Sequence, residues 1–240
     1  MLDLLTLDLD GTLAETEPLK AASYGWAAHQ LRPDLDPAEV EAAYAPYVGR
    51  SREEIARGLA RQFGLDGAAR QHDGTVEPWR AFVGLRLGRY RAMIDDGPLV
   101  RERARPEAVA LARDSRALAR HVALVTTSDR RNATAVLAGL GLGDAFDTTV
   151  TSSDVARTKP DPEGYRLALA RLNAAPAEAL AVEDSPAGIR AALAAGMGVL
   201  AVPTDYTRGA VREMVERGEL DARAVVGAGG LAAAVRQRAG

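Results

Sequence analysis

The chain has 240 residues, a formal net charge of -3 and 47% apolar side chains, enough for a substantial core in one large domain or two smaller ones. It has no cysteine, and His29, His72 and His121 are scattered without ligand spacing, which excludes disulfides and thiolate nucleophiles and argues against zinc. There is no basic stripe for nucleic acid, no polybasic tail, no apolar run near the ~20 residues of a membrane span and no signal-peptide pattern, so a cytoplasmic protein without nucleic-acid or membrane partners is expected.

Leu4 to Leu7 reads as a short buried strand that runs into Asp8-Leu9-Asp10-Gly11-Thr12. Strand positions two apart share a face, so Asp8 and Asp10 look into one crevice at the carboxyl end of a strand, where open α/β sheets bind ligands. Carboxylates this close repel unless a proton or a cation sits with them; a hard divalent cation resolves the conflict and leaves one oxygen as a nucleophile. The alternative is a strand that ends in acidic turn residues.

From Thr16 to Asp95 nothing reads as a strand. Helical periodicity covers Glu17 to Gln30, Pro37 to Ala45, Arg52 to Phe63 and Val76 to Ile94, and Asp96-Gly97-Pro98 marks a boundary. Ser51 and Glu54 spell a capping box that puts Arg52 in a first helical turn, where free backbone N–H groups favour anions; Arg52 is equally an ordinary solvated helix residue. Beyond this stretch strands and helices alternate. Val122 to Thr126, Phe146 to Thr151, Ala179 to Val182 and Val199 to Val202 read as strands, with helices over Arg130 to Leu140, Pro162 to Asn173 and Pro186 to Ala195. The segment from Thr204 is expected to add a helix, a short strand and a final helix. This pattern predicts an α/β fold, a Rossmann-like parallel sheet of residues 1–14 and 98–240, interrupted after its first strand by a helical insertion of residues 15–97.

Three further groups carry chemistry. Thr126, Thr127 and Ser128 stand between a strand end and a helix start, where hydroxyls and backbone N–H groups form an anion site or merely cap the helix. Lys159, in Thr158-Lys159-Pro160-Asp161-Pro162, sits in a loop stiffened by prolines from which it can reach a phosphate and a neighbouring carboxylate, or simply remain solvated. Glu183 and Asp184 end a strand, while Ser185-Pro186 is the arrangement of a helix N-cap. With Asp8 and Asp10 these carboxylates would make the oxygen-rich site that Mg²⁺ prefers.

Asp8-Leu9-Asp10-Gly11-Thr12, Thr126, Lys159-Pro160 and Glu183-Asp184-Ser185-Pro186-Ala187-Gly188, in this order and spacing, resemble the haloacid dehalogenase-like phosphotransferase superfamily, and most of all its branch of β-phosphoglucomutases and CbbY-type sugar-phosphate phosphatases. The resemblance makes the insertion an α-helical cap, closing over the core on hinges near Ala14 and Gly97. It implies Asp8 as nucleophile and Asp10 as acid and base. Mg²⁺ would be held by Asp8, the Asp10 carbonyl and Asp184, with Glu183 direct or through water. Thr126, Thr127 and Lys159 would hold the phosphoryl oxygens. Arg52, Arg86, Lys20 and Glu15 are the cap and hinge positions expected at the substrate, a small phosphorylated metabolite. Lys20 stands where the mutases carry a histidine, and Ala104-Arg105-Pro106-Glu107 replaces the usual aromatic-Pro-Gly signal. Both departures favour hydrolysis, with a sugar-phosphate mutase or a non-catalytic phosphosugar-binding protein as alternatives. A monomer or a homodimer fits equally.

Overall fold

A computed structural model describes residues 1–240 except Gly49, Thr75, Val76 and Ala228. Strands β1 (Leu2–Leu7), β2 (Ala119–Val125), β3 (Thr148–Val150), β4 (Ala179–Glu183) and β5 (Gly198–Ala201) form one sheet in the order β3-β2-β1-β4-β5, all pairings parallel. Such a sheet is covered on both faces, which is why β1 and β4 read as nearly continuous apolar runs. Leu7 pairs with Leu124 on one side and Val182 on the other. The carboxyl ends of β2, β1 and β4 therefore lie side by side. After β3 the chain crosses from one side of β1 to the other, making β1 and β4 the switch point where a crevice opens.

The chain divides into two compact units, Met1–Glu15 with Gly97–Gly240, and Thr16–Asp96. The second is helical: α1 (Glu17–Leu31), α2 (Pro37–Ala42), α3 (Arg52–Phe63), α4 (Asp66–Asp73) and α5 (Pro78–Asp95). Tyr24, Tyr44 and Phe82 are buried at its centre, with Tyr24 stacked on Tyr44 and edge-on to Phe82. The capping box of Ser51 and Glu54 starts α3 as the sequence suggests, and left-handed Gly64 ends it. The helix α4 has no sequence signal: its run Asp-Gly-Ala-Ala-Arg-Gln-His-Asp lacks apolar periodicity, and no side chain caps it. Val76, the expected start of the last cap helix, lies outside the described residues.

The first unit continues with α6 (Gly97–Glu102), α7 (Pro106–Asp114), α8 (Arg130–Leu140), α9 (Glu163–Leu172), α10 (Pro186–Ala194), α11 (Arg208–Glu216) and α12 (Leu231–Ala239). Strand β2 begins before the apolar run, at Ala119, because Ala119 and His121 already pair with Leu2 and Leu4 of β1 although Arg120 between them is exposed. The short strand expected near the C-terminus is reduced to one bridge, Val225 to Ala201, after a 3₁₀ turn at Ala222–Ala224. The glycines that follow it lose too much chain entropy on straightening to extend the pairing. Outgoing and returning chain are zipped into a short ribbon by the Ala14–Ala104 bridge and by the amides of Glu15 and Arg105, which donate to Arg103 O and Leu13 O, each at 2.8 Å.

Candidate active site

Asp8 follows β1 directly, its amide still donating to Val182 O at 3.1 Å. The side chain is buried beside Lys159, whose Nζ lies 2.6 Å from Asp8 Oδ1 and 2.7 Å from Val125 O, and which also donates to Glu183 Oε1. The ammonium thus spans the ends of β1, β2 and β4. Its side chain is 6% exposed, so the solvated alternative is ruled out. Tyr165 of α9 completes the group, donating its hydroxyl to Glu183 Oε1 while its ring lies 5.2 Å from the Lys159 nitrogen. Burial pushes Asp8 up to about 7, Lys159 opposes, and Glu183 and Asp10 add to the rise. Burial pulls Lys159 down, but the two carboxylates outweigh it and hold its pKa above the usual lysine range. Tyr165 is raised well above the phenol range by burial and then by Glu183.

Asp10, close enough to raise Asp8, also has a partner outside this group. Its Oδ2 accepts from Ser128 Oγ at 2.6 Å. The helix cap of α8 is Asp129, which takes the Asn132 amide. That leaves Ser128 to Asp10, and Thr126 Oγ1 to the Ser128 amide at 3.1 Å. The capping alternative for Thr126, Thr127 and Ser128 is therefore corrected: the acidic residue one position later does that work. Thr126 is buried and Thr127 exposed. Ser185 caps α10 by accepting from Gly188 N at 3.2 Å, with Pro186 after it.

The acidic groups could hold a metal. Asp8, Glu183 and Asp184 each offer a carboxylate oxygen, all within 4.8 Å of one another and all buried. Hard oxygen donors without sulfur or imidazole suit Mg²⁺ or a similar cation. Gly11, at φ +86°, leaves room for them, since a Cβ there would lie 2.3 Å from Asp184 Oδ2. Thr207 Oγ1 holds the same oxygen at 3.3 Å.

The remaining expected residues are distributed along the chain. Glu15 is exposed at the end of the first unit. In the helical unit Arg52 is exposed in the first turn of α3. Lys20 pairs with Glu17 at 2.7 Å, and Glu17 also accepts from the Tyr44 hydroxyl at 2.6 Å. Arg86 is 4% exposed, its guanidinium 4.8 Å from the Tyr24 ring and 4.9 Å from that of Tyr90. Sequence reasoning offered Ser128 for an anion site or a helix cap and not for Asp10, and it missed Tyr165 and Thr207. Ser128 lies two residues beyond Thr126 as Asp10 lies two beyond Asp8, whereas Tyr165 and Thr207 carry no signal of this kind.

The family model described as haloacid dehalogenase-like hydrolase matches residues 2–196. The chain is 30% identical over 211 residues to the protein CbbY of Cereibacter sphaeroides, covering 87% of each. It is 33% identical over 203 residues to a phosphoglycolate phosphatase of Rhodospirillum rubrum, covering 84% of this chain and 79% of that one. Among solved structures it is similar to CbbY from Rhodobacter sphaeroides in complex with xylulose-(1,5)bisphosphate, with a TM-score of 0.67, 30% identity, and coverage of 87% of this chain and 89% of that one.

Proposed function

The chain belongs to the haloacid dehalogenase-like hydrolases, and on that premise we propose that it is a Mg²⁺-dependent phosphatase that hydrolyses a small sugar phosphate through an aspartyl phosphate on Asp8. The observation that carries this reading is the pairing of one buried carboxylate on Lys159 with a second, separate carboxylate on Ser128. A binding protein needs the first cluster but has no use for a second carboxylate poised for proton transfer.

Asp8 attacks phosphorus; its oxygen forms the new bond as the bond to the leaving oxygen breaks. With Oδ1 held by Lys159, the carboxylate keeps one orientation toward the incoming phosphate. Asp10 protonates the leaving oxygen, then takes a proton from the water that attacks the aspartyl phosphate, regenerating Asp8 and releasing phosphate. Lys159 and Thr126, with the amide of Thr127, stabilise the charge that spreads over the phosphoryl oxygens. Asp8, the Asp10 carbonyl and Asp184 would hold Mg²⁺, which neutralises phosphate charge when bound. Glu183 already accepts from Lys159 and Tyr165, so its part is to orient Lys159. Recognition of the rest of the substrate falls to the helical unit, with Arg52 as an exposed cation in the first turn of α3 and the Glu17–Lys20–Tyr44 group beside buried Arg86 as its support. The likeness to CbbY, whose solved complex holds a sugar bisphosphate, supports a sugar phosphate as the substrate.

The test is phosphate release from a panel of sugar phosphates, phosphoglycolate and nucleotides, with Mg²⁺ and with chelator. Release that needs Mg²⁺ and disappears in Asp8→Asn is expected, whereas Asp10→Asn should still accept phosphate slowly but not free it. A sugar phosphate converted without loss of phosphate would make the enzyme a mutase, and no turnover despite tight phosphate binding would make it a binding protein.

A further inference from the structure

Arg105 lies just past the ribbon's bridge, on the returning strand. One nitrogen of its guanidinium, Nη1, donates to two carbonyls: that of Gly11, in the turn after Asp10, and that of Val202 beyond β5, the latter at 2.6 Å. Its own amide holds Leu13 O at 2.8 Å. A single residue therefore ties the Asp10–Gly11 turn to the ribbon and to the end of the neighbouring strand β5. The turn needs such a tie. Gly11 has a positive φ and no side chain to pack, and its amide is satisfied locally by Ala14 O at 2.7 Å, so its carbonyl is where the rest of the fold can grip it. The other end of Asp10 is gripped by Ser128. With the carboxylate held by Ser128 and the backbone one residue on held by Arg105, Asp10 is fixed on both sides. A hydrogen bond from a cation is about twice as strong as a neutral one, and a shift of ~1 Å in a reacting group can cost ~10²-fold in rate.

We propose that Arg105 is a positioning residue: by holding the Gly11 carbonyl it sets where Asp10 stands for proton transfer. The inference rests on the phosphatase reading above. It predicts a loss in kcat with little change in KM, because the phosphate-holding groups Lys159 and Thr126 have no bond to Arg105. Arg105 lines a cavity of about 640 Å³ with Thr12, Glu15, Val202 and Val211, so a small solute can reach the space its side chain fills.

The experiment compares wild type, Arg105→Met, Arg105→Lys, Arg105→Ala and the control Arg113→Met, an arginine that instead holds Leu140 O at 3.1 Å. Steady-state hydrolysis of 4-nitrophenyl phosphate with Mg²⁺ is read beside thermal midpoints. Arg105→Met should lose ~10- to 100-fold in kcat with KM changed by less than about two-fold. Arg105→Lys should recover part of the loss, and millimolar guanidinium should raise kcat of Arg105→Ala but not of wild type or Arg113→Met. An unchanged kcat, a loss confined to KM, or a loss that only tracks the unfolded fraction without guanidinium rescue overturns the proposal. If wild type itself releases no phosphate from any ester, the phosphatase reading fails first and this inference falls with it; an active wild type with an unaffected Arg105→Met defeats this inference alone.

Discussion

Asp8 and Glu183 share one ammonium, that of Lys159, so two buried carboxylates compete for a single charge until a cation arrives. Burial, reinforced by Glu183 and Asp10 against the pull of Lys159, raises Asp8 to about 7. A carboxylate must be ionised to ligate a metal. Below about pH 7, therefore, a cation has to displace the Asp8 proton, and Mg²⁺ affinity should drop by up to roughly tenfold per pH unit. Above that pH it should level off. Titration calorimetry at about pH 6 in two buffers of different ionisation enthalpy should record release of close to one proton; none released would mean that Asp8 is already ionised. The same shift has a sign for stability. A raised pKa in the folded state means stability is lost as pH rises through about 7. The metal-free Tm should thus fall over that range in wild type and much less in Asp8→Asn, and a flat profile in both would contradict it.

Helix α10 shows how an element can be dictated by a neighbouring side chain. Its start is legible, with Ser185 as cap and Pro186 in the first turn. The need for glycine at 188 is legible only as part of a family motif, and the structure supplies its reason. A Cβ there would lie 2.0 Å from Glu183 Cδ and 2.1 Å from both carboxylate oxygens. Helix propensity alone favours alanine over glycine by ~1 kcal/mol, but overpacking costs roughly 1–3 kcal/mol. Gly188→Ala should therefore lower Tm, and it should also depress kcat, because the displaced carboxylate is the one that Lys159 and Tyr165 hold. An alanine variant as stable and active as wild type would show that Glu183 can yield without consequence. Elements without such local signals escaped the sequence: α4 lacks apolar periodicity, and the apolar run of β2 is preceded by polar Arg120 and His121, which hide that the strand starts at buried Ala119.

For the molecule as a whole, the chain divides into Met1–Glu15 with Gly97–Gly240 and Thr16–Asp96, and under the proposed function chemistry belongs to the first and selectivity to the second. The carboxylates, Lys159 and Thr126 all belong to the first, and Arg52, Lys20 and Arg86 to the second. Under the proposed function, Arg52→Ala should lower kcat/KM for a sugar phosphate by about 10- to 150-fold, the worth of a charge-assisted hydrogen bond, and change it little for a small aryl phosphate. Equal losses for both substrates would tie Arg52 to the chemistry or the fold. No loss for either would move selectivity to Glu15, Lys20 or Arg86.

The sequence by itself determined the alternation of the parallel sheet, the helical stretch that interrupts it, and the strand-end positions of Asp8, Asp10, Glu183 and Asp184. Each of these follows from periodicity or from residues close in the chain, and local sequence reports local conformation. What the tertiary structure decided is which groups meet. Lys159 reaches Asp8 across 151 positions, and Ser128 reaches Asp10 across 118. Tyr165 under Glu183, Thr207 on Asp184 and Arg105 on Gly11 are equally invisible in sequence. An arginine, a tyrosine or a serine has the same local propensities whether it faces water or holds a carboxylate. The side-by-side ends of β2, β1 and β4, together with α9, the start of α11 and the ribbon at Ala14–Ala104, bring these donors within bonding distance of the groups they hold.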